Sequence, residues 1–293
     1  MKTLWSKQQE IDFFVSSMKI ATPEQLFYIG DDERYYAYWP KSYKGKTETL
    51  QSRNAFIGSY TERWCKDLFE GIAEEMKGYA VQGVICEEIG LSQKSKADLV
   101  IYRDKNTMQE PENIILIIEV KMSVVWNWEL RMTDSKKELA CLGDYRTHQG
   151  NPGLLRSDTM LKGIGKSINI RVSSDKASRI PIIIIGNTPV TQNYYEKVDH
   201  LKKSGVVQGF WSVNPKPLDN DGENIKNTPH RGFYRFDNFG ELKKETVGLL
   251  KEEREFFSSM QCKKSLGRII EIANRESALE EKAQRFLDLI RNL

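Results

Sequence analysis

Ile114-Ile115-Leu116-Ile117-Ile118-Glu119-Val120-Lys121 is the stretch on which the reading of this chain turns. Five consecutive aliphatic residues suit a strand buried on both faces. A carboxylate and an ammonium follow, separated by one apolar residue. Successive strand side chains point to opposite faces, so Glu119 and Lys121 share one face and Val120 takes the other. Two charges at the end of so apolar a strand are costly unless they meet partners or a metal. The Glu-x-Lys spacing is uninformative by itself, because it recurs at Glu75/Lys77, Glu241/Lys243 and Glu280/Lys282. Those three sit in or beside polar helical stretches, where charges are a solvated face. Position on an apolar strand singles out Glu119/Lys121.

Upstream, Ala97-Asp98-Leu99-Val100-Ile101-Tyr102 holds one acid inside a second apolar run. The polar segment Asp104 to Asn113 reads as a hairpin loop between the two strands. Paired across that loop, Asp98 comes close to Glu119. Two carboxylates held together repel each other and suit a hard divalent cation. Mg2+ fits best, since it prefers oxygen ligands and keeps waters that a phosphate can displace. A neighbouring lysine can activate a water or stabilise charge on a phosphorane. A buried salt bridge of Lys121 with Asp98 or Glu119 is the purely structural alternative, and spacing leaves both open.

Outward from these strands, Ser59 to Lys77 repeats Trp64, Leu68, Ile72 and Met76 at helical spacing, with Gly78 as its stop. Tyr79 to Cys86 is a further strand. Ser157 to Ile170 reads as a helix, Ile180 to Ile185 as a strand buried on both faces, Thr191 to Lys203 as a helix and Val206 to Val213 as a strand. Antiparallel strands followed by helical crossovers imply an α/β (α+β) fold with a mixed central sheet flanked by helices. The expected organisation is an N-terminal helical and irregular extension over 1–58, a core over 59–240 with an insertion at about 123–156, and a helical region over 241–293. Thr22-Pro23-Glu24-Gln25 and Ser277-Ala278-Leu279-Glu280 look like helix starts with capping boxes.

Lys96-Ala97-Asp98, a loop, then Ile117-Ile118-Glu119-Val120-Lys121 resembles the catalytic signature of the PD-(D/E)XK nuclease superfamily. The order of elements from Ser59 to Val213, about half the chain, is also similar to that superfamily's core. Ala97 departs from the proline in the motif's name. Within the superfamily the pattern looks most like a type II restriction endonuclease. The resemblance implies a restriction-endonuclease-like core, Mg2+ held by Asp98 and Glu119, and Lys121 assisting the attacking water. It also implies hydrolysis of double-stranded DNA at a short site to give 5′-phosphate ends. Many members carry a glutamate on the helix before the first strand, and Glu62 matches that place; a capping box Ser59-Tyr60-Thr61-Glu62 explains it equally well. A homodimer cutting a palindromic site, with a DNA methyltransferase as genetic partner, follows from the same resemblance. A repair or recombination nuclease of the superfamily is the alternative. So is a non-catalytic DNA-binding protein on a decayed nuclease fold, against which the intact Asp98, Glu119 and Lys121 argue.

DNA contacts are sought in the basic run Lys162, Lys166, Arg171, Lys176 and Arg179, where Gly163 and Gly165 would let a backbone approach phosphate closely. Gly150-Asn151-Pro152-Gly153 through Arg156 leads into a helix N-terminus suited to an anion. Arg131, Arg146, His148, Gln149 and Asn151 are candidate donors to base edges, and the loop from Asn214 to Arg231 is another. Trp126 and Trp128 read as core. The segment from Phe27 to Arg53, with Tyr35, Tyr36, Tyr38, Trp39, Lys41, Lys44 and Lys46, reads mainly as packing, with a nucleic-acid-facing loop as the minority reading.

At 293 residues, 39% hydrophobic and 29% charged, the chain can bury a core without staples. A net charge of +3 does not by itself call for nucleic acid, so positive charge would have to concentrate on one face. Cys65, Cys86, Cys141 and Cys262 form no C-x-x-C pair, and His148, His200 and His230 have no zinc spacing. No run is apolar enough to span a membrane, and reduced thiols in a cytoplasm are the expectation.

Overall fold

The computed structural model describes residues 2–45, 50–133, 136–219, 224–251 and 253–292. Lys46 and parts of the 123–156 and 214–231 stretches singled out above lie outside them. In chain order the elements are α1 (Lys7–Ser17), α2 (Pro23–Leu26), β1 (Tyr28–Ile29), β2 (Tyr35–Tyr36), α3 (Gln51–Glu75), β3 (Tyr79–Val84), β4 (Ala97–Tyr102) and β5 (Ile114–Val120). There follow β6 (Asn127–Thr133), β7 (Lys136–Gly143), α4 (Ser157–Ser173), β8 (Ile182–Gly186), α5 (Tyr195–Lys203), β9 (Gly209–Ser212) and β10 (Phe233–Arg235). The C-terminal helices are α6 (Phe239–Leu250), α7 (Lys263–Ala273) and α8 (Leu279–Arg291).

The central sheet runs β10-β9-β8-β5-β4-β3. β3, β4 and β5 are antiparallel neighbours, whereas β5, β8, β9 and β10 run parallel. The expected mixed sheet flanked by helices is therefore present. Period-two alternation sorts its side chains onto two helical layers. Leu99, Ile101, Leu116 and Ile118 share one buried cluster with Cys65, Leu68, Phe69 and Ile72 of α3. Val100, Ile117, Ile182 and Ile184 share the other with Met160 and Ile170 of α4 and Val198 of α5. A sheet covered on both faces explains why β5 and β8 read as unbroken aliphatic runs.

Several expected boundaries need correction. α3 begins at Gln51, not Ser59, so Ser59 lies well inside the helix and Glu62 is not the third residue of a capping box. The boundary drawn at 58 falls within this helix. Gly78 does not take the left-handed position after α3; Lys77 does, with φ 56°. Gly78 is required for close approach, because a Cβ there would lie 2.7 Å from the Tyr102 carbonyl oxygen. At α8, Glu281 rather than Glu280 closes the cap, accepting from the Ala278 N–H at 3.3 Å and the Ser277 hydroxyl at 3.1 Å.

The N-terminal stretch and the 123–156 stretch build one unit together. Their strands form an antiparallel sheet in the order β1-β2-β6-β7, with Tyr35 opposite Leu130 and Tyr36 opposite Glu129. The buried Glu10 of α1 fastens it. Its carboxylate accepts from Val125 N (2.6 Å), Trp126 N (3.2 Å), Trp5 Nε1 (3.2 Å) and Trp128 Nε1 (2.8 Å). Trp126 and Trp128 are thus core residues, as read from the sequence. Glu10→Ala strands four buried donors, and a loss of about 3 kcal/mol or more is expected, with Glu10→Gln intermediate. Urea unfolding monitored by tryptophan fluorescence reads this, and an unchanged midpoint for Glu10→Ala would refute the clamp.

At the C-terminus, Arg291 ties α8 back through Glu255 (2.7 Å) and the Ser178 hydroxyl (3.1 Å). Among the described residues, no helix is long and apolar enough to cross a membrane.

Candidate active site

Asp98 is the second residue of β4 and Glu119 lies near the end of β5. Because these strands are antiparallel, both fall at one end of the sheet, one step beyond the Leu99–Ile118 pair. That end also carries the C-terminal ends of the parallel strands β5 and β8, where α/β sheets generally offer their ligand crevice. Both carboxylates face α4. Lys121, two residues after Glu119, returns to the same face. Its Nζ is 2.6 Å from Glu119 Oε1 and 3.2 Å from Asp98 Oδ2. The Val120 N–H also donates to Asp98 Oδ2, at 2.8 Å.

Lys166 of α4 completes the arrangement from the opposite side. Its Nζ is 2.7 Å from Glu119 Oε2 and 3.2 Å from Asp98 Oδ1, and it donates to the Lys96 carbonyl at 2.6 Å. Each lysine therefore spans both carboxylates, on different oxygens. Gly163 makes this possible: a Cβ there would meet Ile184 Cδ1 at 3.1 Å, so its absence lets α4 lie close to β8. The closeness read from Gly163 thus serves the sheet, while Gly165 faces open space. Sequence reasoning assigned Lys166 to phosphate and missed its place among the acids. A glycine one turn before a lysine on a sheet-packed helix was the available signal.

The backbone after Lys121 is held firmly. The Lys121 N–H donates to the Ile185 carbonyl at 2.6 Å. Asn187, which the sequence did not single out, brackets Ser123 by accepting from its N–H (3.1 Å) and donating to its carbonyl (2.6 Å). Gly153, at φ +54°, passes close to the Lys121 carbonyl, which a Cβ would meet at 3.3 Å.

The electrostatics separate the acids. Burial works to raise Asp98, but the Lys121 and Lys166 ammoniums and the Val120 N–H outweigh it and hold it below the usual carboxylate range. Glu119 is pushed up by burial and by the Asp98 charge. Burial works against the Lys121 ammonium, yet Glu119 and Asp98 hold its pKa above the ordinary lysine value. Glu62 of α3 feels the charges of this cluster. Burial and then the Asp98 charge push it up to about 7, with Lys121, Glu119 and Lys166 also acting on it. Asp98 and Glu119 thus share the two ammoniums of Lys121 and Lys166.

An oxygen-only donor set of this kind matches Mg2+. Glu119 Oε2 supports the fit, being buried with no aligned hydrogen-bond donor despite the nearby Lys166 charge. Among the described residues no group of three or more His, Cys, Asp or Glu side chains is placed to hold a metal. Coordination would rest on Asp98 and Glu119, with water and phosphate oxygens completing the shell, which is how Mg2+ is commonly held.

The residues expected to touch DNA scatter. Asn151, Gln149, Arg156 and Lys162 line a groove of about 830 Å³ together with Met122 and Ser123. Arg156 and Lys162 both pair with Asp158, at 2.7 and 3.2 Å. Arg146 is exposed and paired with Asp144 at 3.0 Å, and Arg131 is paired with Glu129 at 2.9 Å.

His148 and Arg171 need correction. The His148 ring is buried, stacked on Tyr38 with centroids 4.0 Å apart, and burial pushes its pKa down to about 4. It is a packing residue and not a groove donor. The Arg171 guanidinium is spent inside the fold on the carbonyls of Ala177 (2.6 Å) and Val206 (3.3 Å). Burial lowers it to about 10. Lys176 pairs with Glu88 and Glu112, and Arg179 with Glu255, so the basic run is not one continuous strip.

Family models, curated proteins and solved structures were each compared with the chain, and none matches it.

Proposed function

We propose that this chain is a Mg2+-dependent endonuclease acting on double-stranded DNA, built on a restriction-endonuclease-like core of the PD-(D/E)XK kind. The observation that carries this reading is the meeting of Asp98, Glu119 and Lys121 at one end of the sheet, with the lysine Nζ 3.2 and 2.6 Å from the two carboxylates. The element order α3, β3, β4, β5, α4, β8, α5, β9 supports it further.

In this reading Asp98 and Glu119 hold the cation through carboxylate oxygens. The bound ion supplies Lewis-acid polarisation of the scissile phosphate and lowers the pKa of water. Lys121, released from its carboxylate contacts, orients the attacking water and stabilises negative charge gathering on the phosphorus oxygens. Glu62 of α3 is the candidate acceptor for the proton that leaves the water. Arg156 and Lys162 at the groove rim hold flanking phosphates.

A type II restriction enzyme is the form most consistent with the sequence signature, acting as a homodimer on a short site. Incubation with supercoiled plasmid in Mg2+ tests this: discrete linear fragments are expected, and none in EDTA. Nicking confined to junctions or lesions would favour a repair or recombination nuclease. Binding without cleavage under any divalent cation would leave a non-catalytic DNA-binding protein.

A further inference from the structure

α4 covers the sheet with one face only, burying Met160, Gly163, Ser167, Ile170 and Arg171. Its outer face is apolar where a solvated helix would be polar. Leu161, Ile168 and Val172 are 61%, 43% and 65% exposed. At 3.6 residues per turn, these three and Gly165 fall within an arc of about 60°. They form one stripe along the helix. Exposed apolar side chains scattered singly are ordinary, but three in line are not. Among the described residues, no other helix or strand carries more than one large hydrophobic side chain so exposed.

The stripe is complementary to itself. Leu161 and Val172, and likewise Gly165 and Ile168, share one midpoint between Lys166 and Ser167. Turned end for end, Val172 therefore meets Leu161 and Ile168 meets Gly165. A Cβ at Gly165 would meet nothing within 4 Å. Open helical glycines recur in this chain, at Gly58, Gly71 and Gly267, so Gly165 counts for its place in the stripe and not for its kind. That place is a gap opposite the bulk of Ile168.

The charges at the two ends agree with an end-for-end pairing. At the first turn, Arg156 and Lys162 share the single acid Asp158, at 2.7 and 3.2 Å, which leaves a positive excess. Beyond the last turn, Glu88 and Glu112 share the single Lys176, and the exposed Asp175 adjoins them, which leaves a negative excess. Antiparallel packing sets each end against its opposite and also opposes the two helix dipoles. The seam is about 16 Å long, too short by itself for the roughly 800 Å² per partner of a tight complex. Such a face supports a reversible dimer in the micromolar range.

We propose that α4 is a dimerisation face, pairing antiparallel with α4 of a second copy, Leu161 against Val172 and Gly165 against Ile168. A two-fold contact of this kind is satisfied reciprocally and closes on itself. Lys166 directly follows Gly165, so the seam runs beside the acidic centre of each protomer. The inference gives the homodimer of the nuclease reading its surface, and rests on that reading only for what the paired centres then do.

Sedimentation velocity of the full-length chain at about 1 to 100 µM, without metal or DNA, tests it. A monomer–dimer equilibrium with a micromolar dissociation constant is expected. Val172→Glu and Gly165→Glu should each raise that constant at least about tenfold. Their thermal midpoints at the lowest concentration should be no lower than wild type, since both positions are open to solvent. Register is read by cross-linking, with the exposed Cys141 and Cys262 changed to serine. Leu161→Cys combined with Val172→Cys should give a disulfide-linked dimer on mild oxidation, and neither substitution alone should. Within one chain the two positions lie about three turns apart, too far for a bridge. A chain monomeric at about 100 µM, a dimer undiminished by both glutamates, or a pair that cross-links no better than either single substitution overturns the proposal. Plasmid cleavage in Mg2+ is scored separately. Cleavage by a chain that stays monomeric removes only this interface, and a dimer that does not cleave removes only the nuclease.

Discussion

Asp98→Ala and Lys121→Ala are each expected to lower plasmid cleavage in Mg2+ by at least about a thousandfold. The reasoning is local. Asp98 is one of two carboxylates facing the same side of adjacent strands, and its loss would leave Glu119 as the single anionic ligand for the proposed cation. Lys121 is a cation within hydrogen-bonding reach of both acids and therefore of any phosphate held there. Neither side chain lines the neighbouring groove, so DNA binding measured in EDTA should largely persist. Far-UV circular dichroism must accompany the rates, because each substitution strips a partner from a buried charge. Cleavage by Lys121→Ala at the wild-type rate would show that the proposed chemistry is wrong.

Lys166→Ala is expected to act on stability first. Its ammonium touches Glu119 Oε2 at 2.7 Å and Asp98 Oδ1 at 3.2 Å, and it is largely shielded from solvent. Removing it leaves two buried carboxylates with Lys121 alone, a loss of about 3 kcal/mol in metal-free buffer. Mg2+ should then repay more in the variant than in the wild type, because the cation no longer competes with the lysine for the same oxygens. Thermal melting with and without Mg2+ measures this difference directly. Equal Mg2+ shifts in the two proteins would mean that Lys166 is not standing where the metal binds.

The site was legible to the extent that strand periodicity governs it. Ile114 to Ile118 announced a buried strand, and the charges at Glu119 and Lys121 had to face one way. The register with Asp98 followed once the Asp104 to Asn113 loop was read as a hairpin. Lys166 was not legible in this role, because helical spacing alone cannot distinguish a lysine facing solvent from one facing acids. The start of α3 was missed for a different reason: its N-cap is Leu50, with no side-chain cap to mark it. The second sheet was hidden because β1 and β2 are two residues each, too short for any period to show, and β2 pairs with residues almost a hundred positions later. His148 and Arg171 were misread because a polar side chain looks alike in sequence whether it is buried and satisfied or exposed.

The reach of Glu10 bears on the order in which the molecule assembles. Its four donors lie at Trp5 and at residues 125–128, so the clamp spans well over a hundred positions of chain. A ribosome delivers the N-terminal end first, and during that interval α1 has no β6 to grip. Closing so long a loop is entropically unfavourable until the intervening strands have shortened the path. The stacked pair Tyr28 and Trp39, joined to the rest through β2 and β6, therefore waits for β6 but not for α4 or β8, which follow it in the chain. During synthesis the N-terminal unit can close while the central sheet still lacks its parallel strands, and the acids on β4 and β5 wait for Lys166 of α4.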